Sequence, residues 1–426
     1  MSNGIISSLD VTKVILDAAM NNESPDTMRR QFATIRQTCK LWKDIVDSFT
    51  HCLTDCDLRL AAEGRKMESV RFLLTREEVD PSTNFNYPIR RAVRGGHTEI
   101  VRLLLSHPRV NPSAKDNEAI RIAANEGHTE IVRLLLSHPR VDPSDVVIRC
   151  AAERGQTETV RLLLSDPRVD PSADHNDAVT WAVFGGHTET VRLLLSDSRV
   201  DPSVPDNDAI RIAANEGHTE TVRLLLTDSR VDPSANDNHA IKFAAERGHT
   251  EVVRLLLSHP RVDPSTQDNC TFSRAVHRGH IEVVRLLLSD SRVDPSVSDN
   301  EAIRYAASNG HHLMVELLLA HPRVDPSAQS DQAITKATAG GFIHIVRLLM
   351  TDERVDPSRG SLIFVSAARG HADIVELLLS HPRNASTQID EAKKRAMQGG
   401  HTKVVQVLND HERKIKRKPA VKKSIQ

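Results

Sequence analysis

Histidine, arginine and aspartate return along this chain at near-fixed intervals, and each could do chemistry. A histidine follows a glycine at His97, His128, His187, His218 and His249, and again in later copies. Imidazole is the commonest metal ligand, so a column of this kind could hold ions. Arginine recurs at Arg109, Arg140, Arg168, Arg199, Arg230, Arg261, Arg292, Arg323 and Arg354, with an acid two residues on at Asp142, Asp170, Asp201 and Asp232. Alternating charge of this sort could bind a charged polymer or form ion pairs from unit to unit. "HCLTDC", His51 to Cys56, has the look of half a zinc site.

Spacing argues against most of this chemistry. No second Cys/His pair follows "HCLTDC" at zinc-finger distance. Packed helices lie about 8–10 Å apart, too far for histidines of successive units to share an ion. A hydrogen bond at a turn is the simpler account of the histidine. An inter-repeat ion-pair ladder, each pair contributing about 0–1 kcal/mol, is the simpler account of the arginines and aspartates. The five cysteines are scattered and odd in number, which argues against a disulfide framework and for a reducing compartment. No phosphate-binding glycine loop and no nucleophile elbow is present. The sequence therefore predicts no enzyme, no metal, no cofactor and no small-molecule substrate. The recurring groups recur because a longer unit recurs.

That unit is anchored by a glycine at Gly96, Gly127, Gly155, Gly186, Gly217, Gly248, Gly279, Gly310, Gly341, Gly370 and Gly400, in steps of 28–31 residues. An earlier copy places Arg65 at the anchor. Twelve units of about 31 residues then span residues 57–411. Each reads as two short helices and a connector. In the Gly127 copy, Asn117 has the side chain of an N-cap, and "EAIRIAANE" follows as the first helix. Ala123 and Ala124 let a neighbouring helix approach, and Gly127 ends the helix in a left-handed conformation. In the second helix, "TEIVRLLLS", Ile131, Val132, Leu135 and Leu136 fall on one face. Pro139 and Pro143 make "HPRVDPS" a short extended connector. Both helices are shorter than the roughly 12–15 residues an isolated helix requires, so they fold only by stacking on the next pair.

The "AAxxGHTEIVRLLL" portion resembles the ankyrin repeat. The resemblance implies an all-α helical solenoid, a ridge of loops, and a concave face that binds proteins. The family's "TPLH" is replaced here by forms such as "EAIR" (Glu118 to Arg121) and "DAIR" (Asp208 to Arg211), and the loops are shorter. The Gly127–Gly155 step loses three residues near Ser144–Val147, so the loop there should lack its tip. The uniform "HPRVDPSA" wording is similar to ankyrin proteins of large DNA viruses of protists, which implies a host cell's cytoplasm.

Columns that stay fixed between copies suit packing, and columns that wander are free to meet a partner. Five residues before the anchor stand Ile122, Cys150, Trp181, Ile212, Phe243, Arg274, Tyr305 and Lys336. Aromatic residues make up only 3% of the chain, yet Trp181, Phe243 and Tyr305 fall here at every second unit. Just before the anchor lie Asn125-Glu126, Glu153-Arg154, Phe184-Gly185, Glu246-Arg247 and His277-Arg278. Aromatics and arginines dominate binding hot spots, which makes these the expected partner-binding residues. The aromatics could equally fill space between helices.

Residues 1–50 do not fit the repeat. Their apolar spacing gives helical faces through Leu9 and Ile15 and through Cys39, Trp42 and Ile45. "TCKLWKDIVDS", Thr38 to Ser48, resembles the end of an F-box, with "SLDV" where that family opens on Leu-Pro. The resemblance implies that these five residues bind a Skp-type adaptor and, through it, a cullin ubiquitin ligase. A plain helical cap over the first repeat is the other reading, since terminal units of solenoids need one. Residues 412–426, net charge +6, read as a disordered basic tail able to serve as a nuclear-import signal, and leave −7 for the rest of the chain. So acidic a body makes nucleic acid an unexpected partner. No signal peptide or membrane-spanning run is visible, and the sequence predicts a protein of the cytoplasm or nucleus that binds other proteins.

Overall fold

A computed structural model of the chain describes residues 54–381 and 389–417. The five residues expected to bind the adaptor, Leu9, Ile15, Cys39, Trp42 and Ile45, lie outside them. The described residues form twelve helix pairs. They are numbered here as repeats 1–12 by the turn residue joining the two helices, from Arg65 in repeat 1 to Gly400 in repeat 12. The chain divides into two compact units between Ala182 and Val183. The first holds repeats 1–4 and most of the first helix of repeat 5; the second holds the remainder.

Within each unit, first helices pack on first helices and second helices on second helices. The core is therefore a series of thin layers. In repeat 3, Ala123, Ala124, Ile131, Val132 and Leu135 are wholly buried, while Leu136 is only half-buried. The valine of each "RVDP" is a further core column; Val110, Val141, Val169 and Val231 are all at most 3% exposed. Burying one such aliphatic side chain stabilises by about 1.5–3 kcal/mol, and each layer collects several. Truncating Leu135 to Ala would cost roughly 2–5 kcal/mol.

The connectors carry two turns each. In repeat 3 the His138 carbonyl accepts the Val141 N–H at 3.0 Å. In repeat 6 the Asp232 carboxylate accepts both the N–H of Ser234, at 3.0 Å, and its hydroxyl, at 2.6 Å. The next element is one the sequence did not announce. Three successive residues take left-handed backbone angles before the first helix, as at Lys115, Asp116 and Asn117 with φ of 55°, 53° and 59°. Asn and Asp tolerate this conformation best, which accounts for the "DN" that precedes the first helix in repeats 3, 6, 7, 8 and 9. In repeat 6 proline stands first in the triplet at Pro205, and only Asp206 and Asn207 are left-handed. Repeat 4 has no left-handed residue before its first helix, Asp145–Glu153, and Ser144 enters it from extended backbone. The three residues missing from the Gly127–Gly155 step are this triplet.

The triplet also corrects the reading of Asn117. It stands where an N-cap would, but its side chain caps nothing in its own helix. Its side-chain carbonyl accepts the N–H of Asp142, in the next connector, at 3.2 Å. The same bond runs from Asp232 to Asn207 (2.6 Å), Asp263 to Asn238 (2.8 Å), Asp294 to Asn269 (2.9 Å) and Asp325 to Asn300 (2.7 Å). Asp331 takes the asparagine's place towards Asp356, at 3.1 Å.

The final helix, Thr402–Arg417, runs six residues into the basic segment, and Glu412 accepts from Lys393 at 2.7 Å. No helix among the described residues is long and apolar enough to cross a membrane.

Candidate partner-binding surface

The turn between the two helices sets the position of the variable columns. The recurring histidine is spent on it. His249 Nε2 lies 2.9 Å from the carbonyl of Asn215, His280 Nε2 2.9 Å from that of Glu246, and His218 Nε2 3.0 Å from that of Phe184. Each imidazole thus ties one turn to the preceding repeat's first helix, as the hydrogen-bond reading required. The ring lies against the preceding anchor glycine. A Cβ on Gly217 would stand 2.6 Å from the His249 ring, and that glycine has φ +78°. Gln156 replaces the histidine in repeat 4 and its amide donates to the Asn125 carbonyl at 3.3 Å.

The arginine column forms a ladder of two kinds, where one was expected. Its guanidinium donates to the valine carbonyl of the preceding connector, as from Arg230 to Val200 and from Arg292 to Val262, both at 2.8 Å. The residue two before the arginine decides the rest. Where it is aspartate, the pair closes locally: Arg230–Asp228 and Arg354–Asp352 stand at 2.7 Å. Arg230 holds the Asp228 carboxyl below its ordinary range, chiefly by hydrogen bonding. Where it is histidine, the arginine faces the preceding repeat's acid more loosely, as in Arg261–Asp232 at 3.5 Å and Arg323–Asp294 at 3.8 Å.

With the fixed columns consumed in packing, the variable ones line the exposed ends of the first helices. In the first unit Glu126, Glu153 and Arg154 are exposed, and Asn125 and Trp181 half-buried. Arg154 Nε donates to the Asn125 side-chain carbonyl at 3.3 Å, and the Asn125 amide to Glu126 at 3.3 Å. In the second unit Phe184 is 52% exposed, Arg247 and Arg278 are exposed, and Phe243, His277 and Tyr305 are half-buried. Phe243 packs beside His239 with ring centres 5.6 Å apart. Glu246 bridges to repeat 8, accepting from Arg278 at 2.7 Å and also from Arg274. The hydrogen bond from Arg278, then that from Arg274, holds its carboxyl below the usual range.

Tyr305 and His277 stack with ring centres 4.0 Å apart. The Tyr305 hydroxyl donates to the His277 carbonyl at 3.4 Å, the acceptor that spacing assigns to His311. The His311 ring stands away from Gly279, 3.8 Å from where a Cβ on that glycine would lie, and its Nδ1 is buried without a partner. The three column aromatics thus sit at the edge of the core.

Sequence reasoning passed over Lys242. It is 2% exposed, its amine has no hydrogen-bond partner, and burial pushes its pKa down. The only signal was a lysine in a column that reads Arg121, Arg211 and Arg304 in other copies.

A family model described as ankyrin repeats in three copies matches residues 58–147, 200–268, 272–360 and 303–391. These stretches cover more than half of the chain. The chain belongs to the ankyrin-repeat family. The matches leave out residues 148–199, which begin in the repeat that lacks the left-handed triplet. No curated protein matches the chain. The likeness to viral ankyrin proteins rests on the repeat wording alone. An ankyrin array is a protein–protein interaction module, and the surface just described is where its copies differ.

Proposed function

We propose that the first-helix surface holds a partner protein, and that the chain is a substrate adaptor bringing that protein to a Skp/cullin ubiquitin ligase through residues 1–50. The observation that carries the binding surface is the division of labour between columns. The recurring histidine, connector arginine and asparagine bond between repeats in fixed columns. The column of Glu126, Arg154, Arg247 and Arg278 varies along the chain, and these side chains are exposed, Arg154 and Arg278 also bonding to the preceding repeat. Half-buried Trp181 in the first unit, and Phe243 and Tyr305 in the second, would supply apolar contact on each unit's own surface. An adaptor of this kind works in the cytoplasm, or in the nucleus if the basic tail serves as an import signal.

The second reading is an ankyrin scaffold without a ligase connection, residues 1–50 acting as a cap. Leu60, on the first repeat, is 49% exposed, and apolar surface on a terminal repeat favours such a cap. Affinity purification of the intact chain and of one lacking residues 1–50 separates the two. The adaptor reading expects Skp-type and cullin components with the intact chain only. Their absence from both preparations, with the shortened chain turning insoluble, would leave the scaffold.

A further inference from the structure

The outward face of the second helices repeats one polar pattern. Glutamate and arginine stand three apart and pair on the second helices of repeats 1–8, as in Glu220–Arg223 at 3.5 Å, Glu251–Arg254 at 3.4 Å and Glu282–Arg285 at 3.5 Å. A threonine precedes the glutamate in repeats 2–7. From repeat 8 onward the copies depart from this pattern. Ile281 replaces the threonine in repeat 8. In repeat 9, His312, Leu313 and Glu316 stand for threonine, glutamate and arginine. Leu313 is 51% exposed. Beside it a cleft of about 760 Å³ opens between the second helices of repeats 7–9, lined by Gly248, Gly279, Ile281, Leu317 and Ala320. Glu282, Arg285 and Glu316 also line it. With leucine in place of the usual glutamate and glutamate in place of the usual arginine, repeat 9 cannot form the pair of repeats 1–8. Repeats 10 and 11, with His344 before Arg347 and Asp373 before Glu376, carry no Glu–Arg pair there either.

A protruding leucine, a cleft of mixed apolar and polar lining, a carboxylate outside the Glu–Arg pattern and an arginine held by Glu282 therefore share one face. We propose that this face binds a second copy of the chain about a two-fold axis. Leu313 of each copy enters the cleft of the other, and Glu316 of each faces Arg285 of the other. A second copy is the occupant because the patch carries both halves of the contact, knob with hole and acid with base, as an isologous interface must. A few side chains at the second-helix surface make a small interface, so the dimer is weak and reversible. This face is separate from the first-helix surface and does not depend on its reading.

Sedimentation velocity on the full chain, from about 1 to about 200 µM, tests it. The expected result is a reversible monomer–dimer equilibrium with a midpoint in the tens of micromolar. Leu313→Asp should weaken it by about tenfold or more. Glu316→Arg and Arg285→Glu should each weaken it, since like charges then face each other, while the double variant regains most of the loss. All three positions are at the surface, and unchanged thermal melts will show that the variants fold. A chain that stays monomeric across the range overturns the proposal, as does self-association indifferent to Leu313→Asp or a double variant no better than the singles.

Discussion

The side-chain carbonyl of Asn238 accepts the main-chain N–H of Asp263, 2.8 Å away and in the following connector. Asn238 itself is 5% exposed, so the acceptor of this bond is held away from water. Asn238→Ala should therefore destabilise the chain by about 1–3 kcal/mol, the cost of removing the acceptor from a half-buried N–H. Asn238→Asp should cost less, because the acceptor oxygen is kept. Thermal melts of the two variants read the difference.

Asp331 runs that comparison in reverse. It is a carboxylate, 1% exposed, where other repeats carry asparagine, and one of its oxygens is buried without a hydrogen-bond partner. Burial raises its pKa above the ordinary 3.8. A raised carboxyl pKa means that the folded state disfavours the charged form, so the penalty is present at neutral pH and relieved as pH falls through the folded value. Asp331→Asn should stabilise the chain at pH 7 by on the order of 1 kcal/mol. The gain should shrink on acidification towards the ordinary carboxylate range. Melting temperatures of both proteins against pH measure it.

The anchor glycines should differ in their tolerance of a side chain. Gly217 needs its φ of +78° and also the space filled by His249, whereas Gly400 has φ +72° with nothing within 4 Å of the place a Cβ would take. Gly400→Ala should cost about 1–2 kcal/mol, the left-handed penalty alone. Gly217→Ala should cost more, and adding His249→Ala should recover part of the excess. Equal losses at the two positions would contradict the role assigned to the histidine.

Repeat 1 carries the opposite defect. Arg65 occupies the anchor position with φ +57°, where the other eleven repeats have glycine. Arg65→Gly should stabilise by about 0.5–1 kcal/mol, the relief of backbone strain less the added freedom of the unfolded chain. Denaturant unfolding will show the gain as a higher midpoint.

Helices and core were legible because their signals are local. The period that places Ile131, Val132 and Leu135 on one face is written within eight residues, and Ala123-Ala124 mark close helix approach directly. The partner of Asn117 was not legible. Its bond spans 25 residues and ends on a main-chain N–H, which leaves no side chain to read. For the same reason the arginine column looked like a ladder of ion pairs, when part of its bonding goes to valine carbonyls. The exposed ends of the first helices could be inferred from variation between copies, but the bridge from Glu246 to Arg274 and Arg278 needed coordinates to see.

Partner recognition by the first-helix surface is tested most directly by quantitative capture of the proteins bound by the intact chain, compared with two variants. One replaces Arg247, Arg278 and Tyr305 by alanine; the other replaces Glu189, Arg192 and Glu220, which lie on the outward face of the second helices. The first variant, folded by its melting curve, should lose the bound proteins, and the second should keep them. Retention by the first variant and loss by the second would contradict this assignment.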